Sequence, residues 1–132
     1  RNDRDSLLTT KIILGDSRSI KEDHPIYQDD LTILFSEGNA RDVEGVQVFW
    51  EELRSKCGMQ RLWVEGGSKV FSLLIAAGLS HAIIKYEAPI LLGGGTASCG
   101  NLGFAQIQNG LRLTDELRKD LGDNLRRAWL VH

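Results

Sequence analysis

The chain has 132 residues, 42% of them hydrophobic and 26% charged, with a net charge of -2; that is apolar material for one compact domain with its own core and excludes a disordered chain. The 16 basic side chains set against 18 acidic ones exclude the dense positive surface that counterion release rewards, so no nucleic-acid partner is expected. No apolar run approaches the roughly 20 residues that cross a bilayer, and Arg1-Asn2-Asp3-Arg4-Asp5 lacks the apolar stretch of a secretion signal, so the expectation is a soluble, cytoplasmic protein with no membrane partner.

In chain order, Lys11-Ile12-Ile13-Leu14 and Leu31-Thr32-Ile33-Leu34-Phe35 are short, branched and closed by small or polar residues, which predicts buried strands. Val46-Gln47-Val48-Phe49 reads as one more short strand. Trp50 to Cys57 reads as a helix with Trp50, Leu53 and Cys57 on one face and a stop at Gly58. Leu62-Trp63-Val64 predicts a third buried strand, and Ser68 to Ala77, closed by Gly78, an apolar helix that other elements must cover. His81 to Glu87 predicts a strand ended by Pro89, followed by Ile90-Leu91-Leu92 running into Gly93-Gly94-Gly95. The tail predicts a hairpin of strands at about Leu111 to Leu117 and Leu125 to Val131, joined by a turn over Lys119 to Asn124. This alternation predicts an α/β fold, a mixed sheet flanked by helices with a C-terminal strand hairpin.

Candidate chemistry concentrates at Glu65-Gly66-Gly67-Ser68. A strand that runs into two glycines and a helix capped by Ser68 brings free backbone N–H groups and the positive end of the helix dipole to one point, which suits phosphate. The same glycines also suit a tight strand-to-helix turn with no ligand. Glu65, at the carboxyl end of an apolar strand, reads either as a proton donor or acceptor for a substrate hydroxyl, or as a cap or lysine partner. Gly93 and Gly94 either let backbone approach a cofactor or belong to a flexible loop. Asp16 and Ser17 with Arg18 end another strand with polar groups suited to an adenosine ribose or its 2'-phosphate, or form an ordinary loop. His24, His81 and His132 are scattered, so no metal site is expected. Cys57 and Cys99 read as reduced thiols, and Trp50, Trp63 and Trp129 as core.

Taken together, Lys11 to Leu14, Leu31 to Phe35, Leu62-Trp63-Val64-Glu65-Gly66-Gly67-Ser68, Ala77-Gly78-Leu79, Tyr86-Glu87-Ala88-Pro89-Ile90-Leu91-Leu92-Gly93-Gly94 and the late Gly103-Phe104 resemble the reductase domain of riboflavin biosynthesis, the C-terminal half of bacterial bifunctional deaminase-reductases. The resemblance implies a dihydrofolate-reductase-like fold and NADPH as cofactor. It also implies a phosphorylated pyrimidine substrate, a ribosylaminopyrimidine phosphate whose ribosyl C1' takes the hydride. By that resemblance Gly66, Gly67 and Ser68 hold the cofactor's phosphates, Glu65 is the catalytic residue facing the substrate's ribose, Gly93 and Gly94 lie along the cofactor, and Asp16 and Ser17 meet it at a strand end. A homodimer is the implied assembly.

The chain departs from the family in two ways. Ser80-His81-Ala82 stands where the family carries an acidic pair, and the family's N-terminal strand with its Ser-x-Asp-Gly segment has no counterpart in these residues. The expectation is that residues 1–132 form a single reductase-like domain that is about the C-terminal two-thirds of a longer one, without its N-terminal strands. The alternative is a non-catalytic relative that binds a nucleotide or serves in assembly.

Overall fold

The computed structural model describes residues 10–28 and 31–132; the reading of Arg1 to Asp5 falls outside them. The chain divides after Leu62 into two compact units.

In the first unit, β1 (Lys11–Ile13) pairs in parallel with β2 (Ile33–Phe35), Lys11 opposite Ile33 and Ile13 opposite Phe35. Both predicted strands are present, but they are half-buried instead of buried and shorter than the apolar runs that announced them. At the carboxyl ends, the buried Ser36 hydroxyl accepts the Gly15 N–H at 3.0 Å, and Ser36 N–H donates to Ile13 O. Between the strands, single 3-10 turns at Ser17–Ser19 and Pro25–Tyr27 are capped by Asp16 and by His24, whose Nδ1 accepts the Ile26 N–H.

The helix α1 (Val43–Cys57) follows, its N-terminus capped by Asp42, whose carboxylate accepts the Gly45 N–H at 2.8 Å. Val46, Phe49 and Leu53 bury one stripe of it, while ion pairs Glu51–Arg54 and Glu52–Lys56 lie outside. Val46 to Phe49 is therefore helix and not strand. The Val-Gln-Val alternation mimics a strand, but spacing of three and four residues is what joins Val46 and Phe49 to Leu53 on one face. Leu53 is buried as predicted, but Trp50 is half-buried and Cys57 exposed, and the stripe is completed by Val46 and Phe49 instead. The helix ends where predicted. Gly58 takes the left-handed conformation (φ 65°), and its N–H returns to Leu53 O.

In the second unit, residues 63–67 form no strand and have no regular secondary structure. This corrects the reading of Leu62 to Val64: a strand exists only through its ladder, and no described strand pairs with this segment. The apolar helix α2 (Ser68–Ala76) is followed by β3 (Ala82–Glu87), β4 (Leu113–Leu121) and β5 (Asn124–Val131). These strands form an antiparallel sheet of order β3-β5-β4. The central strand β5 is half-buried over Leu125 to Trp129, whereas every residue of the edge strand β4 is exposed.

That exposure explains why the tail hairpin differs from its prediction. Leu121 pairs directly with Asn124, so the turn is only Gly122-Asp123, and Lys119-Asp120-Leu121 belongs to the strand. An edge strand with solvent on both faces carries polar residues, and polarity alone reads as a turn. Among the described residues the chain therefore holds both parallel and antiparallel strand pairs with two α-helices, the α/β composition expected.

Candidate functional site

The recess that best gathers the predicted chemistry lies within the second unit. It is open, about 520 Å³, and is lined by Trp63, Val64, Glu65, Gly66 and Gly67 of the entry to α2, by Phe71 of α2, and by Ile84 and Tyr86 of β3.

The geometry at the entry separates the two glycines. A side chain at Gly66 would meet Val70 Cβ at 2.9 Å, so Gly66 is required by its contact with the next helical turn. Gly67 has ordinary extended backbone (φ -79°, ψ 177°), and a side chain there would meet nothing within 4 Å. Nothing inside the protein demands a glycine at 67. Gly67 is the N-cap of α2, and no side chain caps the helix. The first intrahelical bond runs from Phe71 N to Gly67 O, leaving the N–H groups of Ser68, Lys69 and Val70 at the positive helix end without a recorded protein acceptor among the described residues. An uncovered glycine beside open donors is a cradle that a Cβ would fill, and it fits a phosphate group. The capping role expected of Ser68 is corrected: Ser68 is the first helical residue, and its carbonyl accepts the Ser72 hydroxyl at 2.6 Å.

Glu65 is exposed, and its Oε1 accepts the Trp63 indole N–H at 2.9 Å. Two sequence readings change here. Glu65 is not desolvated at the end of a buried strand, and Trp63, 66% exposed, is a wall of the recess instead of core. Tyr86, 62% exposed, offers a second aromatic face to the same space.

Gly93 and Gly94 lie in an exposed stretch after β3 without regular structure; Gly93 has φ 70°, a conformation that favours glycine. From that stretch Cys99 and Gly100 both make hydrogen-bond contact with Ser72 of α2. Ser72 was not foreseen; the available signal was a hydroxyl inside an apolar helix, one turn after Ser68.

Asp16 and Ser17 belong to the first unit. The Asp16 carboxylate accepts from Arg18 Nε at 2.8 Å, from Nη2 and from the Arg18 backbone N–H, and the hydrogen bond from that guanidinium holds its carboxyl well below the usual carboxylate range. Ser17 N–H donates to Glu37 Oε2 at 3.3 Å. Among the described residues no group of three or more His, Cys, Asp or Glu side chains is placed to hold a metal ion, and no helix is long and apolar enough to cross a membrane.

The fold is that of a dihydrofolate-reductase-like domain, and its relatives are specific. Two solved structures of Acinetobacter baumannii RibD superpose with TM-scores of 0.70 (form 1) and 0.68 (form 2), each over 92% of this chain and 37% of that chain, at 18% identity. The RibD C-terminal domain family matches residues 4–125, and the chain belongs to that family. Riboflavin biosynthesis protein RibD from two strains of Mycobacterium tuberculosis is 32% identical over 75 residues, 57% of this chain. The matched part spans 22% of those relatives' length.

Proposed function

We propose that this chain is a reductase domain of riboflavin biosynthesis that uses NADPH to reduce the ribosyl C1' of a ribosylaminopyrimidine phosphate. The observation that carries the reading is the uncovered Gly67 at the open N-terminus of α2, on the lip of a recess that also holds a carboxylate and two exposed aromatic faces. Membership of the family supplies the reaction class.

The chain's own residues bind and orient. The N–H groups of Ser68, Lys69 and Val70 donate to the dinucleotide's phosphates, Gly67 lets those phosphates approach the backbone, and Gly66 holds the turn against Val70. The faces of Trp63 and Tyr86 hold a planar ring. The indole N–H fixes Glu65 Oε1, leaving Oε2 to accept from a hydroxyl of the substrate's ribose. NADPH, when bound, supplies the hydride. Gly93 and Gly94 are proposed as further cofactor contacts, and a homodimer as the assembly.

The test is titration of the intact protein with NADPH and with NADH, following energy transfer from tryptophan to the reduced nicotinamide. Trp63 in the recess makes a strong signal the expected result, with NADPH preferred. Binding of neither nucleotide overturns the proposal.

A further inference from the structure

The glycine-rich stretch between β3 and β4 is long and exposed, and in the described structure its hydrogen bonds to α2 pass through one side chain. Ser72 Oγ donates its only proton to Ser68 O at 2.6 Å. With that proton committed, both lone pairs are acceptors. One accepts the Gly100 N–H at 2.7 Å. The other faces Cys99 Sγ at 3.4 Å, and because the hydroxyl has no second proton, the thiol is the donor. Ser72 is thus fully used, and it joins backbone and side-chain groups 27 and 28 residues away in sequence. Gly100 is fitted to this contact, since a Cβ there would stand 3.2 Å from Ser72 Oγ. The stretch continues into a local turn in which Asn101 Oδ1 accepts the Gly103 N–H at 2.8 Å.

We propose that Ser72 is a positioning residue that clips residues 99–103 onto the first two turns of α2 and so orders the glycine-rich loop for the dinucleotide. The inference rests on the nucleotide reading above and adds to it a residue that touches neither cofactor nor substrate. The clip engages α2 one turn beyond the open N–H groups, so the loop is ordered beside the phosphate cradle before any ligand arrives. Ordering a loop in advance removes part of the entropy that binding would otherwise have to overcome.

The experiment compares the intact wild-type protein with Ser72→Ala and Ser72→Thr, reading amide hydrogen exchange at residues 99–103, NADPH affinity and thermal unfolding. Ser72→Ala is expected to exchange the Gly100 amide about tenfold faster and to weaken NADPH binding about fivefold to tenfold, with little change in unfolding temperature. Ser72→Thr, which keeps the hydroxyl, is expected to restore both. Unchanged exchange in Ser72→Ala overturns the clip. Faster exchange with unchanged NADPH affinity overturns the positioning role. A wild-type protein that binds neither nucleotide overturns the nucleotide reading and the positioning role with it, a result told apart from the others because it appears before any substitution is made.

Discussion

Replacing Gly67 by serine sets stability and function against each other. The backbone at 67 is extended, φ -79° and ψ 177°, as an N-cap requires, and a new Cβ meets nothing within 4 Å. Serine is a preferred N-cap, better than glycine by a few tenths of a kcal/mol, and losing glycine's freedom in the unfolded chain contributes about 0.4 to 1 kcal/mol more. Gly67→Ser is therefore expected to stabilise the protein by about 0.6 to 1.4 kcal/mol, raising the unfolding temperature by about 2 to 5 °C. The new hydroxyl achieves this by accepting an N–H of Lys69 or Val70, and its Cβ fills the cradle. Both changes remove what a phosphate would use. NADPH affinity is expected to fall at least tenfold, about 1.4 kcal/mol, in a protein that has become more stable. The assays are calorimetric unfolding without ligand and fluorescence titration with NADPH. A more stable variant with undiminished affinity would refute the phosphate assignment, and a less stable one would refute the reading of Gly67 as structurally unconstrained.

Three further expectations concern the scaffold. Leu53, 4% exposed on the buried stripe of α1, should cost about 2 to 4 kcal/mol when cut to alanine, measured by urea denaturation; a loss below about 1 kcal/mol would move the core elsewhere. Gly58→Ala meets nothing within 4 Å but must hold φ 65°, so a purely conformational loss of about 1 kcal/mol is expected, and a neutral result would contradict the left-handed cap. Glu87 is held below its ordinary value of 4.5, first by the Lys85 hydrogen bond and then, against burial, by the charges of Lys85, Arg127 and Arg118. Because the folded value is depressed, its stabilisation is present above pH 4.5 and is lost as pH falls through the folded value. Glu87→Gln should therefore lower the urea midpoint at neutral pH, with the two proteins converging in acid; parallel curves would show that the ion pair contributes nothing.

Local chemistry was readable from the residues alone wherever the interaction is local. Gly58 stops α1 because a left-handed cap needs no distant partner, and Ser68 to Ala76 is an apolar run long enough for a helix and closed by Gly78. The glycine-glycine step into α2, which led to the candidate site, is local in the same sense. Family membership was legible too, in the spacing of short motifs along nearly the whole chain.

What only the tertiary structure decided depends on partners far apart in sequence. Whether Leu62 to Val64 is a strand depends on a neighbouring ladder, and no described strand pairs with it. Lys119 to Leu121 is strand instead of turn because β5 pairs with it. The Cys99–Ser72–Gly100 contact links groups nearly thirty residues apart, which no local pattern announces. Residue order by itself determined the family, α2, the C-terminal half of α1 and the glycine turn that leads into α2, because short-range geometry follows from residue type and spacing. Burial and strand pairing came from the fold: whether Glu65 and Trp63 face solvent, and which loop residue meets α2, are set by long-range packing that a linear pattern does not encode.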